Sequence, residues 1–139
     1  MEVLTFYLEE EPYGIDVRNI VEIVEKLEPV KVPLSPPYVE GIANLRGEIV
    51  PIVNLKKRFG AKKSGGQSIV VIILHKGEKV GIMIDRISGI QNVQETELKK
   101  PTRRLKKLIP PEFLAGVFSV GKTRYLLLDI DKILEEKGG

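Results

Sequence analysis

Gly41-Ile42-Ala43-Asn44-Leu45-Arg46-Gly47-Glu48-Ile49-Val50-Pro51-Ile52-Val53-Asn54-Leu55 is the stretch whose reading decides the fold. It reads as a β-hairpin. Asn44 and Gly47 both tolerate positive φ, so they place a tight turn between two apolar runs. Ile49, Val50, Ile52 and Val53 are β-branched and suit a pleated, buried surface. Pro51 has no N–H for a ladder, so the returning strand is expected to be at an edge or bulged there. Arg46 then sits in the turn with its charge outward. Arginine at a fixed turn suits an interface, because its planar fork gives directional hydrogen bonds, although a structural salt bridge explains it equally well.

Strand and turn signals continue on both sides. Val3 to Leu8 is a strand, Glu9 to Pro12 a turn, and Tyr13 to Ile15 a second strand. Asp16 then looks like an N-cap, and Val17, Ile20, Val21, Val24 and Leu27 recur at helical spacing, with Ile23 widening the stripe. The spacing predicts an amphipathic helix that ends before Pro29. Val30 to Pro33 is extended, and Ser35-Pro36 could cap a short helical turn through Glu40. Asn54 to Gly60 reads as a capped helical turn closed by its glycine. Ala61 to Gln67 is a flexible loop and the best boundary between two lobes.

Beyond that loop, Ser68 to Leu74 is a nearly continuous apolar strand, expected to be buried on both faces. His75-Lys76-Gly77-Glu78 turns it into a returning strand, Lys79 to Ile87. Phe113 to Val120 and Arg124 to Asp129 form another strand pair about Gly121-Lys122. A last helix is expected from Asp131 to Glu136, with Asp131 at its cap. Many short strands with frequent turns and few helices argue a mainly β, barrel-like chain.

The 139 residues fit one domain, and a 42% hydrophobic content supports a globular core. No apolar run approaches the ~20 residues a spanning helix needs. The N-terminus carries no basic signal-peptide segment, and with no cysteines the chain is expected to be cytoplasmic. The net charge of +3 invites a nucleic-acid reading. However, six of the 22 basic residues lie in one run, Lys99, Lys100, Arg103, Arg104, Lys106 and Lys107, and the other 16 face 19 acidic ones. The basic character is therefore one segment, whose plainest reading is a solvated loop.

Signals for catalysis are weak. His75 is the only histidine and lies in a Lys/Gly/Glu turn, where a surface role is expected. Asp129 and Asp131 are explained at least in part by helix capping, and Asp85 beside Arg86 by a local ion pair. Ser64-Gly65-Gly66 lacks P-loop spacing. An OB-like barrel binding single strands would need aromatic platforms, and the basic run contains none.

Asn44-Leu45-Arg46-Gly47, followed by Ile49 to Leu55, resembles the central signature of the CheW family of bacterial chemotaxis coupling proteins. The family pattern mostly has Asp where this chain has Asn54. The resemblance extends through Val3 to Phe6, Tyr13 to Asp16, Ile20 to Ile23 and Val39-Glu40-Gly41. It continues more loosely through Val80 to Ile87, Leu114-Ala115-Gly116 and Leu128 to Leu134. It implies two intertwined five-stranded SH3/OB-like β-barrels with short helices. The single domain would cover 1–139, with approximate lobes 13–66 and 67–130 and the N-terminal strand and C-terminal helix intertwined.

The resemblance also implies a non-enzymatic adaptor without cofactor or metal. Its partners would be the regulatory domain of the histidine kinase CheA and the cytoplasmic tips of methyl-accepting chemoreceptors, in membrane-associated arrays. Carried over to this chain, Ile20 and Glu22 fall on a receptor-facing helix and Arg46 on a turn implicated in signalling contacts. Val24, Val30 and Val39 are groove candidates, while Gly41, Asn44 and Gly47 hold turn geometry. If part of the helix stripe lines a groove, Val17, Val21 and Val24 pack inward and Ile20 is partly exposed. Two alternatives remain: a CheW-like domain of a larger chemotaxis protein, or an OB-like nucleic-acid binder using Lys99 to Lys107. The start on the first strand and the closing helix favour a free-standing chain.

Overall fold

The computed structural model describes residues 1–61 and 69–135. The chain divides into two units, and they are nested in sequence. One comprises Met1–Arg18 with Ile87–Gly139; the other is the intervening Asn19–Arg86. This division differs from the lobes expected at 13–66 and 67–130. The loop expected at 61–67 falls outside the described residues from residue 62 onward.

The discontinuous unit contains β1 (Glu2–Leu8), β2 (Glu11–Asp16), β8 (Arg86–Asn92), β9 (Leu114–Val120) and β10 (Thr123–Leu128), in the sheet order β8-β1-β2-β10-β9. β1 and β2 form an antiparallel hairpin about Glu9-Glu10. β10 pairs with β2 in parallel, joining the two ends of the sequence. Two cross-strand aromatic pairs stack, Phe6 with Tyr13 at 5.9 Å and Phe118 with Tyr125 at 5.2 Å. Val3, Val93, Phe118, Tyr125 and Leu127 form a buried cluster in this unit.

The continuous unit contains β3 (Ile20–Glu25), β4 (Val39–Leu45), β5 (Glu48–Asn54), α1 (Leu55–Arg58), β6 (Ile69–His75) and β7 (Glu78–Ile84), with strand order β3-β6-β7-β5-β4. β6 is an interior strand between β3 and β7, and its Val70 to Ile73 are all buried, as the unbroken apolar run demands, while Leu74 at its end is exposed. Ala43, Leu45, Val50, Ile52, Val70, Ile72 and Met83 form the core cluster. Val24 of the edge strand β3 and Leu27 just beyond it pack on that same cluster. Val30 then bridges Ile42 on β4, the opposite edge strand, with hydrogen bonds of 2.7 and 2.9 Å. The segment that leaves β3 thus reaches the opposite edge strand of the same sheet. Pro51 sits where β5 has only β4 beside it, because the parallel pairing with β7 covers Ile52 to Asn54.

The helix expected from Asp16 is a correction. Val17–Asn19 is a single 3-10 turn, and Ile20–Glu25 is β3, paired antiparallel with β6 through Ile23↔Val71 and Val24↔Val70. Ile20, Val21, Ile23 and Val24 are β-branched, and a long apolar partner strand satisfies them better than a helix does. Burial therefore alternates with period two: Ile20, Glu22 and Val24 are half-buried, whereas Val21, Ile23 and Glu25 face outward. Val21, expected to pack inward, is exposed.

Smaller differences have local causes. Residues 35–40 form turns and the start of β4 rather than a helical turn; Ser35 donates its hydroxyl to the Val32 carbonyl, at 2.8 Å. The last helix, α2 (Ile130–Leu134), is capped by Asp129, whose Oδ1 accepts from the Lys132 amide at 3.1 Å; Asp131 lies inside the helix. α1 matches its expected caps, with Asn54 at the N-cap and Gly60 following the C-cap Phe59. His75 ends β6 half-buried, and Asp85 pairs with Lys56 at 3.0 Å.

Candidate interaction site

Leu45↔Glu48 closes the β4–β5 hairpin on a two-residue loop, Arg46-Gly47, with φ of 51° and 86°. Positive φ at both loop residues defines the type I′ turn, whose twist matches that of the strands. Asn44 locks it: its Oδ1 accepts the Gly47 amide at 2.9 Å. The order Asn-Leu-Arg-Gly thus specifies the turn and leaves arginine at its tip.

Arg46 is tethered there. Its Nη1 donates to Glu22 Oε1, a carboxylate on β3 that is 21% exposed while the arginine side chain is 73% exposed. Glu22 raises the Arg46 pKa above the ordinary arginine value, first by this hydrogen bond and then by its charge. The bond occupies one guanidinium nitrogen. The remaining donors of the fork face solvent in a fixed direction, ready for a carboxylate or carbonyl. The structure therefore brings together two site residues that lie 24 positions apart in sequence.

The other candidates divide into three groups. Ile20 and Val24 flank Glu22 on the same half-buried face of β3, and Val24 also packs on the core. Val30 is 70% exposed beside Ile42. Val39 begins β4, at the end of the seven-residue strand opposite Arg46, about 20 Å away. It lines a separate hollow at the Pro-rich bend with Val32, Pro36 and Glu40. Val39 and Arg46 are thus not brought together.

Gly41 and Gly47 serve the backbone in different ways. A Cβ on Gly41 would lie 2.1 Å from the Val30 carbonyl oxygen, so only glycine lets Val30 bridge β4. Gly47 has open space around it and is required only for its φ.

Beside Val39, Glu40 Oε1 accepts from Lys57 Nζ at 2.7 Å and from Asn54 Nδ2 at 2.8 Å. Burial alone would raise the Glu40 pKa, but these two hydrogen bonds and the Lys57 charge outweigh it and hold the carboxyl below its ordinary value. Asparagine caps α1 with its oxygen and donates to Glu40 with its nitrogen, whereas aspartate would set two carboxylates against each other.

Sequence reasoning missed the outward apolar residues Val21 and Ile23 on β3 and Ile49 on β5. The signal was present, since Val21 and Ile23 alternate with Glu22, but a helical period fits the same letters. Among the described residues, no three metal-ligating side chains converge, and no helix is long and apolar enough to cross a membrane.

Comparison with known proteins agrees with this architecture. The family model described as CheW-like domain matches residues 2–138. Chemotaxis protein CheW of Treponema pallidum is 38% identical over 98% of this chain and 83% of its own length. Chemotaxis protein CheW of Thermotoga maritima is 34% identical over 97% of this chain and 88% of its own. The crystal structure of the scaffolding protein TtCheW from Thermoanaerobacter tengcongensis superposes with a TM-score of 0.88, covering 99% of this chain and 94% of that one at 29% identity. With a family model spanning nearly every residue and relatives alike along their length, the chain belongs to the CheW family and is a chemotaxis coupling adaptor.

Proposed function

We propose that this adaptor holds the regulatory domain of the kinase CheA and the cytoplasmic tips of chemoreceptors in one assembly, acting by binding alone and without catalysis. It would be recruited to membrane-associated arrays through those receptors. The observation that carries the reading is the Arg46 tip: a cation on a rigid I′ turn, aimed by Glu22 and left largely exposed. The contact surface we assign comprises Arg46 and Glu22 with Ile20 beside Glu22 on β3 and the exposed Val30 next to Ile42, and Val24 supports it from the core. Val39 belongs to a second contact at the Pro-rich bend. Individually modest contacts suffice, because an array multiplies them through effective concentration.

The test is a calorimetric titration with the CheA regulatory domain and, separately, with a receptor tip fragment. Arg46→Glu is expected to weaken one of the two titrations by about tenfold with an unchanged melting midpoint. The charge-swapped pair Arg46→Glu with Glu22→Arg separates contact from scaffolding. Continued weak binding by the swap means the arginine itself touches the partner. Full recovery would mean that only the ion pair mattered, and unchanged binding by Arg46→Glu would remove the turn from the interface.

A further inference from the structure

A second surface, on the discontinuous unit, has no part in the proposal above. The basic run at 99–107 is not a loose loop. Lys99 is bridged to Val117 of β9 by backbone hydrogen bonds of 2.8 and 2.9 Å. Thr102 Oγ1 accepts the Leu105 amide at 3.3 Å and opens a 3-10 turn, Leu105–Lys107. Half-buried Leu98 and buried Ile109 anchor the segment on either side. The result is a fixed shelf. Its six cations are exposed, and Arg124 joins them from β10, where it pairs with Ser119. Among the described residues, none of the seven side chains has a hydrogen bond or ion pair.

Between shelf and sheet lies a pocket of about 370 Å³. Its apolar lining is half-buried Leu105 beside Val117, and Lys99, Lys100 and Arg124 line it as well. We propose that this pocket and shelf dock an acidic segment of a partner protein, seating one apolar side chain against the apolar lining while carboxylates meet these cations. Charge complementarity selects the acidic partner, and the concavity selects a peptide. A nucleic acid fits less well. The one aromatic residue in the pocket lining, Phe118, is buried and offers no face for a base to stack on, and Glu97 in the lining opposes an unbroken polyanion. A bilayer fits less well too, because the helical turn is three residues long and Leu108 is the one exposed large apolar side chain on the shelf.

The probe is a labelled peptide of glutamate and aspartate with one central leucine, followed by anisotropy with the full chain at near-physiological ionic strength. Saturable, salt-weakened binding is expected, reduced about tenfold by the joint substitution Lys99→Glu, Lys100→Glu and Arg124→Glu. These side chains are exposed, so an unchanged melting midpoint is expected for the variant. A peptide with glutamine in place of leucine should bind more weakly, which bulk charge attraction would not produce. The proposal is overturned by absence of saturable peptide binding, by binding indifferent to salt or to the leucine, or by tighter binding of labelled oligothymidylate or phosphatidylserine vesicles. Salt and leucine dependence are measured on the unaltered chain, so they hold even if the variant is unstable.

Discussion

At Gly41 one hydrogen atom decides whether Val30 can bridge β4. Any Cβ there meets the Val30 carbonyl, and φ is +149°, so alanine both clashes and is strained. Gly41→Ala is expected to destabilise the fold by roughly 2–4 kcal/mol, as displaced packing and backbone strain add. Gly47→Ala meets open space and only the left-handed φ of 86°, so roughly 1–2 kcal/mol is expected. Urea unfolding of both variants checks the order, and a Gly47 change as harmful as the Gly41 change would refute the close-approach argument. Gly47 was legible in the sequence from its place after Asn44-Leu45-Arg46. The need for glycine at position 41 was not, because the atom that excludes a side chain belongs to Val30.

Among the elements, β3 shows how a short apolar run can satisfy two periods. Val17, Ile20, Val21, Val24 and Leu27 mark a helix face, yet Ile20 to Glu25 alternate as a strand, and only pairing with β6 decides between them. Val21 faces outward, so Val21→Lys is expected to change stability by no more than about 0.5 kcal/mol. A thermal melt lowered by many degrees would mean that Val21 is core after all. α1 carries a pH dependence through its cap. The Glu40 pKa is depressed in the fold by its bonds to Lys57 and Asn54. The unfolded chain therefore binds this proton first as pH falls. The stabilisation is present above the ordinary glutamate range and is lost as pH drops through the depressed value. Glu40→Gln should flatten that part of the acid-denaturation curve while lowering stability at neutral pH. An unaltered acid limb would show that the network carries no such linkage.

For the whole molecule, the consequence lies in the nesting. β1 and β2 are adjacent in sequence but are completed by β8, β9 and β10 from the far end of the chain. An isolated hairpin is marginal in water. A chain cut after Arg86 should therefore lose hydrogen-exchange protection over Glu2–Leu8, while Ile69–His75, whose neighbours β3 and β7 are retained, keeps it. Protection of both would mean that the N-terminal hairpin has another source of stability. The charge distribution follows a similar logic. A modest net charge of +3 conceals six exposed cations clustered within 99–107 on an otherwise acidic chain.

The sequence by itself determined whatever depends on neighbours a few residues apart. That includes the I′ turn with Arg46 at its tip, the buried β6 and its hairpin with β7, the α1 caps and the family to which the chain belongs. Turn chemistry, capping and alternation are local, and the residues that enforce them sit within the same short window. Only the tertiary structure decided that 20–25 is a strand, that β10 lies parallel to β2, that Glu22 aims Arg46 and that Asn54 joins Glu40. It also turned the basic run from a solvated loop into a shelf beside β9. Each of these rests on a partner distant in sequence, and the choice among such partners is made by packing and hydrogen-bond satisfaction, which no local pattern encodes.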